Sequence, residues 1–201
     1  MMDKRNFLKI LIIILILAGG ALFGIRLFGN EEKAEREEVT VFSESADESE
    51  ECQIETEERI VRGDSLSGIL ENGDTVRIHV GYYQCHPVER EDIVAYNYAG
   101  KEAPLIKIVK AIEGDKFQLK KSTAGCGWNI LINDKILKNS QGKDYCFGEH
   151  GYRMLSLYEK DYKGVIPKDT LLILGNWANG SLDSTRFGLV DKGDLLGKII
   201  K

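Results

Sequence analysis

Pro104-Leu105-Ile106-Lys107-Ile108-Val109-Lys110-Ala111-Ile112 embeds two lysines in an otherwise apolar run. A short apolar run bounded by turn residues reads as a strand. In a strand, alternate side chains share a face, so Lys107 sides with Leu105, Val109 and Ala111. Lys110 sides with Ile106, Ile108 and Ile112. Both faces are apolar, so periodicity does not choose between the lysines. Composition alone favours a sheet face whose lysines reach outward to water. A lysine serves as a base only when neutral, which requires its pKa to fall well below about 10.4. Burial among apolar side chains does this by disfavouring the charged form.

Outward from this run the pattern repeats. Thr75-Val76-Arg77-Ile78-His79-Val80, Asp92-Ile93-Val94-Ala95-Tyr96, Ile130-Leu131-Ile132 and residues 171–174 are short apolar or alternating segments. Gly, Asn, Asp or Pro bound them, as they bound strands. No segment shows a sustained period of 3.6. Many short strands with close turns predict a mostly β domain built on antiparallel sheet. Its expected core is Val76, Ile78, Ile93, Val94, Ile106, Ile108, Leu172 and Leu174. Residues 113–165, richer in Gly, Lys and Asn, are expected to form a subsidiary lobe.

The charge of the 201-residue chain is segregated, and the net of −5 hides this. Residues 1–30 carry Lys4, Arg5, Lys9 and Arg26 against Asp3, a net of +3. Residues 31–58 carry thirteen acids against two bases, a net of −11, and residues 59–201 hold the remaining +3. No concentrated basic face is present, which argues against a nucleic-acid partner. Residues 7–28 are twenty-two residues interrupted only by Lys9 and Arg26, which can snorkel to headgroups. At about 1.5 Å per residue they span about 33 Å, enough for a hydrocarbon core of about 30 Å. The basic residues ahead of this span place the N-terminus in the cytoplasm and everything after it outside. Ala18-Gly19-Gly20-Ala21 resembles a signal-peptide cleavage site, but Leu22, Phe23 and Ile25 continue the apolar run past it, which favours an uncleaved anchor. The expected organisation is a cytoplasmic stub and transmembrane anchor over 1–28, an acidic flexible linker over 29–58 and an extracytoplasmic domain over 59–201.

Cys52, Cys85, Cys126 and Cys146 then lie in a disulfide-permissive compartment. Four cysteines allow three connectivities, of which Cys126 with Cys146 closes the shortest segment. No C-x-x-C spacing points to zinc, and nothing in the chain suggests another metal or a cofactor.

Ser65 lies in Val61-Arg62-Gly63-Asp64-Ser65-Leu66-Ser67-Gly68-Ile69-Leu70, a glycine-containing turn between apolar runs. Its hydroxyl becomes a nucleophile only if a base takes its proton. His79, His86 and His150 are the histidine candidates, and none is marked out by its surroundings. Lys107 and Lys110 are the lysine candidates. A third segment, running from Gly175-Asn176-Trp177 through Ser181-Leu182-Asp183-Ser184 to Gly188, brings hydroxyls and an acid behind an apolar strand. Alone it reads as a polar loop.

Taken together, in this order, these segments resemble the bacterial type I signal peptidases. That family joins a G-x-S-M-x-P-T-L box, a K-R-V strand followed by P-G-D, and a G-D-N-x-x-x-S-x-D-S box. Gly63 to Leu70 resembles the first, Lys107-Ile108-Val109 running on to Glu113-Gly114-Asp115 the second, and Gly175 to Ser184 the third. Ile132-Asn133-Asp134-Lys135-Ile136-Leu137 resembles the family's N-G-K-x-L turn, and Val165-Ile166-Pro167-Lys168 the lead-in to the last box. The resemblance covers nearly all of residues 59–201. It implies Ser65 as nucleophile and Lys107, not Lys110, as general base. It implies Ser181 as the residue that orients the lysine and Asp183 as a brace of the last loop. The Ser65 backbone N–H would be one oxyanion donor. Gly63 has no side chain to supply the second donor that some members place there.

The departures from the family boxes are specific. Leu66 and Gly68 replace Met and Pro, Ile108 replaces the arginine after the lysine, and Asn176-Trp177 replace Asp-Asn. Asp183 thereby loses the usual basic partners, and Arg186 is the nearest substitute in sequence. The resulting expectation is a small, single-span serine endopeptidase with a Ser65–Lys107 dyad. It would remove signal peptides, with small residues before the cleavage site, from exported preproteins at the outer face of the membrane. Two alternatives stand beside it: a self-cleaving Ser-Lys protease, and an inactive membrane-tethered peptide-binding module.

Overall fold

Strand β4 (Leu105–Ala111) forms as expected and lies inside a seven-stranded sheet. The structure, a computed structural model, describes residues 52–99 and 102–201. The membrane anchor expected over 1–28 and most of the expected acidic linker lie outside the described residues. Among those described, no helix is long and apolar enough to cross a membrane.

The remaining strands of this sheet are β1 (Glu55–Ile60), β2 (Thr75–Val80), β3 (Ile93–Tyr96), β9 (Thr170–Leu174), β10 (Val190–Asp191) and β11 (Leu195–Ile200). Their spatial order is β1-β2-β11-β3-β4-β9-β10, antiparallel at every pairing. The last strand of the chain thus enters the middle of the sheet beside β2 and β3. A second sheet holds β5 (Phe117–Lys121), β6 (Trp128–Ile132), β7 (Lys135–Ile136) and β8 (Cys146–Phe147). Here β5 takes one edge of β6, while β7 and β8 share the other. Asn133 and Asp134, both at positive φ, close the β6–β7 hairpin as a two-residue turn. The lobe expected over 113–165 is therefore present, built on its own sheet.

Three findings correct the expectations. First, β1 begins inside the segment read as linker. It is an edge strand with five of its six residues exposed, so it needs no apolar pattern, and its acids also discourage edge-to-edge association. Second, residues 149–161 form a helix, α1 (Glu149–Asp161), where no helical period was read. Its two buried positions are Gly151 and Leu155, four residues apart, and only one of them carries a large apolar side chain. The glycine lies so close to the Phe147 ring that any Cβ would clash with it. Third, the strict two-face reading of β4 fails at its end. Val109 pairs with Ile173 but Ala111 pairs with Leu172, leaving Lys110 as an extra residue. This bulge flips the parity, so Ile112 packs with Leu105 and Val109 instead of with Ile106 and Ile108.

The core has separate clusters. One gathers Val61, Leu66, Leu70, Val76, Ile78, Ala95, Ile108 and Ile199 beneath the serine turn. Another joins β9 to the second sheet and to α1 through Leu172, Leu174, Phe117, Ile130, Phe147 and Leu155. Of the expected core, Ile93 and Ile106 are half-buried and the other six are buried. Disulfides join Cys52 to Cys85 and Cys126 to Cys146, the second being the pair expected from spacing.

Candidate active site

Ser65 stands on a loop closed at its base. The Val61 N–H donates to Asp74 O at 2.8 Å and the Gly73 N–H donates to Val61 O at 2.9 Å. Inside the loop, the Ile69 and Leu70 N–H groups both donate to Leu66 O, at 2.9 and 3.0 Å, forming one helical turn. Leu66 and Leu70, four residues apart, fall on one side of that turn and enter the core. Each buried leucine contributes about 2 kcal/mol, which pins the turn to the sheet. Ser65, directly before the first leucine, stays half-exposed.

Lys107 comes from β4 and meets Ser65 from below. Its Nζ lies 2.9 Å from Ser65 Oγ and donates to Ile106 O at 2.8 Å. Lys107 is 4% exposed. Burial pushes the amine down from 10.5 to about 8, with the Asp183 charge pulling weakly the other way. A lysine so placed is neutral in a large fraction of molecules near pH 8 and can accept the hydroxyl proton. Both residues line a cleft of about 510 Å³. One wall is the end of β1 with Ile60 and Arg62, and the other is Glu102, Pro104 and Ile106.

Lys110 is buried almost as deeply, but its Nζ meets the Glu91 carboxylate at 2.7 Å and it does not line the cleft. The histidines lie elsewhere. His86 stacks on Tyr82 with its Nδ1 3.9 Å from Cys52 Sγ, His79 sits on β2, and His150 is exposed at the start of α1.

The loop after β9 closes over the serine turn. Asp183 is fully buried and accepts four hydrogen bonds: from Gly175 N–H at 2.9 Å, Tyr145 O–H at 3.1 Å, Thr185 N–H at 3.0 Å and Thr185 O–H at 2.7 Å. It also caps the short helix α2 (Ser184–Phe187). The donors to the Asp183 carboxylate are all neutral; the Arg186 side chain is exposed, and only its backbone N–H meets Asp183, donating to the Asp183 O at 2.7 Å. Tyr145, buried in the second lobe, carried no local signal in the sequence. Ser181 is buried at 3% exposure, and its hydroxyl has no hydrogen-bond partner among the described residues. The bond from Ser181 to Lys107 implied by the resemblance is therefore not formed in this arrangement. The hydroxyl instead lies against Gly175, where a Cβ would come within 2.5 Å of it.

Asn176 and Trp177 make contacts that the sequence did not announce. The Asn176 N–H donates to Ser65 O at 2.7 Å. Asn176 Nδ2 donates to Ser67 O at 2.7 Å and to Ser140 Oγ at 2.8 Å, while its Oδ1 accepts from Ser140 N–H at 2.9 Å. Trp177 Nε1 donates to the same Ser67 O at 2.9 Å.

The chain is similar to known proteins. A family model described as signal peptidase, peptidase S26, matches residues 52–200. Signal peptidase IB of Staphylococcus aureus strain COL is 30% identical over 149 residues, covering 69% of this chain and 73% of the relative. Signal peptidase I of Bacillus caldolyticus is 25% identical over 143 residues, covering 70% and 75%. The crystal structure of a signal peptidase I from Enterococcus faecalis V583 superposes with a TM-score of 0.41 at 18% identity, covering 57% of this chain and 98% of that one.

Proposed function

The chain belongs to the signal peptidase family, peptidase S26, and from that premise we propose that it is a membrane-anchored serine endopeptidase that removes signal peptides from exported preproteins with a Ser65–Lys107 dyad. The observation that carries this reading is the 2.9 Å approach of Lys107 Nζ to Ser65 Oγ, two residues that line the same cleft. The domain sits outside the membrane behind the 1–28 anchor and the acidic linker.

The preprotein lies extended in the cleft beside β1, adding to the sheet edge by main-chain hydrogen bonds. Neutral Lys107 takes the proton of Ser65 Oγ as the oxygen attacks the scissile carbonyl. The Ser65 N–H is one donor to the developing oxyanion. Protonated Lys107 then delivers its proton to the leaving amine and, neutral again, activates the water that releases the acyl group. Ser181 completes the lysine's orientation by turning its unpartnered hydroxyl toward it during the cycle, and Asp183 keeps the loop that carries Ser181 in place.

The test is cleavage of a preprotein with an A-x-A site by the full-length protein. Ser65→Ala and Lys107→Ala each abolish cleavage while the domain still folds. Cleavage retained in either variant removes the dyad from consideration.

A further inference from the structure

Gly68 holds the conformation that separates this serine turn from the family box it resembles. Its φ is +91°, in the left-handed region, and its N–H donates to Glu71 Oε1 at 2.7 Å. Proline, with φ fixed near −65° and no N–H, can satisfy neither condition. The stiffness that a proline ring lends a turn is thus absent here, and some other feature must hold the chain between Ser65 and the helical turn at Leu66.

The carbonyl just before Gly68 is held from outside. Ser67 O accepts both Asn176 Nδ2 at 2.7 Å and Trp177 Nε1 at 2.9 Å, and Asn176 N–H takes Ser65 O at 2.7 Å. Three donors from two adjacent residues therefore grip the backbone on either side of Leu66. Asn176 is 1% exposed, and its remaining donor and its acceptor are both used on Ser140 in the second lobe. Its side-chain orientation is thereby set, because a flipped amide would place its oxygen against Ser67 O and its nitrogen against the Ser140 N–H. Lys143, also from the second lobe, lies over the Trp177 ring at 5.8 Å. These are also the two positions at which the chain departs from the Asp-Asn of the related box. An aspartate at 176 could not donate to Ser67 O while ionised.

We propose that Asn176 and Trp177 are positioning residues that hold the Ser65 turn through the Ser67 carbonyl and, with Gly68, form one interlocked replacement for the proline-stiffened turn of related boxes. This rests on Ser65 being the nucleophile. It follows that restoring the family residue at any one of these positions damages the enzyme. An Asp at 176 sets an acceptor against an acceptor, and a Pro at 68 forbids the φ that aims the Ser67 carbonyl.

The experiment uses the full chain in detergent, cleaving a preprotein with an A-x-A site, with kcat and KM measured separately and thermal unfolding recorded for each variant. A misplacement of about 1 Å at a reacting atom costs on the order of 10²-fold in rate. Asn176→Asp and Gly68→Pro should each lower kcat about 10- to 100-fold with KM within about threefold. Trp177→Phe, which keeps the ring and loses one of two donors to Ser67 O, should lower kcat about three- to tenfold. The combined loss in the Asn176→Asp, Trp177→Phe double variant should fall short of the product, because the two donors share one acceptor. Unchanged kcat in Asn176→Asp, or a loss confined to KM, overturns the proposal. If Asn176→Asp does not fold, Trp177→Phe decides by the same criterion. Ser65→Ala separates the two levels. Full cleavage by that variant refutes the nucleophile itself, whereas a dead Ser65→Ala beside a fully active Asn176→Asp refutes only the clamp.

Discussion

The two ends of β4 each carry a buried lysine, Lys107 at 4% and Lys110 at 5% exposure, and treat it in opposite ways. Lys110 sits on the bulge, where the extra residue turns its chain toward the Glu91 carboxylate, itself largely open to water. Its charge is matched by an acid in direct contact. Lys107 sits on the regular part of the strand, where it finds a hydroxyl and a backbone carbonyl but no carboxylate in contact. An amine surrounded this way loses hydration without gaining an ion pair, so its proton is held loosely. Burial without a carboxylate in contact lowers the affinity of a lysine for its proton.

The largest effect that could break this comparison is on activity. Lys107→Arg retains the charge and much of the volume but cannot give up its proton, so preprotein cleavage should fall at least about 10³-fold, as when a nucleophile's base is removed. Retained cleavage would show that deprotonation at this position is not needed. Next comes stability. Burial lowers the Lys107 amine from its ordinary value of 10.5 to about 8 in the folded chain. Between those values the unfolded chain binds more protons, so stability rises with pH across that window and the full penalty applies below about pH 8. A difference of this size corresponds to about 3 kcal/mol. Lys107→Met should accordingly raise the thermal midpoint at pH 7 while abolishing cleavage, a result that differential scanning calorimetry would reveal. The third effect is on pH dependence: kcat/KM should fall about tenfold per unit below about pH 8, as the amine becomes protonated. A flat profile between pH 6 and 8 would contradict the neutral-lysine reading. The smallest effect is at the other end of the strand. Lys110→Met strands no buried charge, since Glu91 is solvated, and should change cleavage less than about threefold.

Much of the large sheet was legible in the order of short apolar or alternating runs and turn residues. The strands around Ile78, Val94, Ile108 and Leu172 were legible because each is an apolar or alternating run cut by turn residues. The edge strand β1 was not, because a strand exposed on both faces carries no apolar pattern. The helix at 149–161 was hidden by a glycine on its buried side. At the site, Ser65 and Lys107 were named from the order of three boxes, and their short separation is a matter of tertiary geometry. Tyr145, Ser140 and the side chains of Asn176 and Trp177 were out of reach. Each acts by a hydrogen bond to a residue at least 36 positions away, and no local pattern encodes such a bond. The replacement of Asp-Asn by Asn-Trp was visible as a departure, but not that it supplies two donors to one carbonyl.

The Cys52–Cys85 bridge ties the start of β1 to the end of the 3-10 turn Tyr82–Gln84. A pull on the polypeptide ahead of Cys52 therefore enters the fold through sulfur, at Cys85, and not along β1. Without that bridge the load would fall on the first rung of the β1–β2 ladder, which runs from Glu55 opposite Val80 to Ile60 opposite Thr75, and would peel it rung by rung. With the bridge, β1 is relieved of much of that tension. The wall it gives to the cleft is thereby partly shielded from whatever drags on the chain ahead of it.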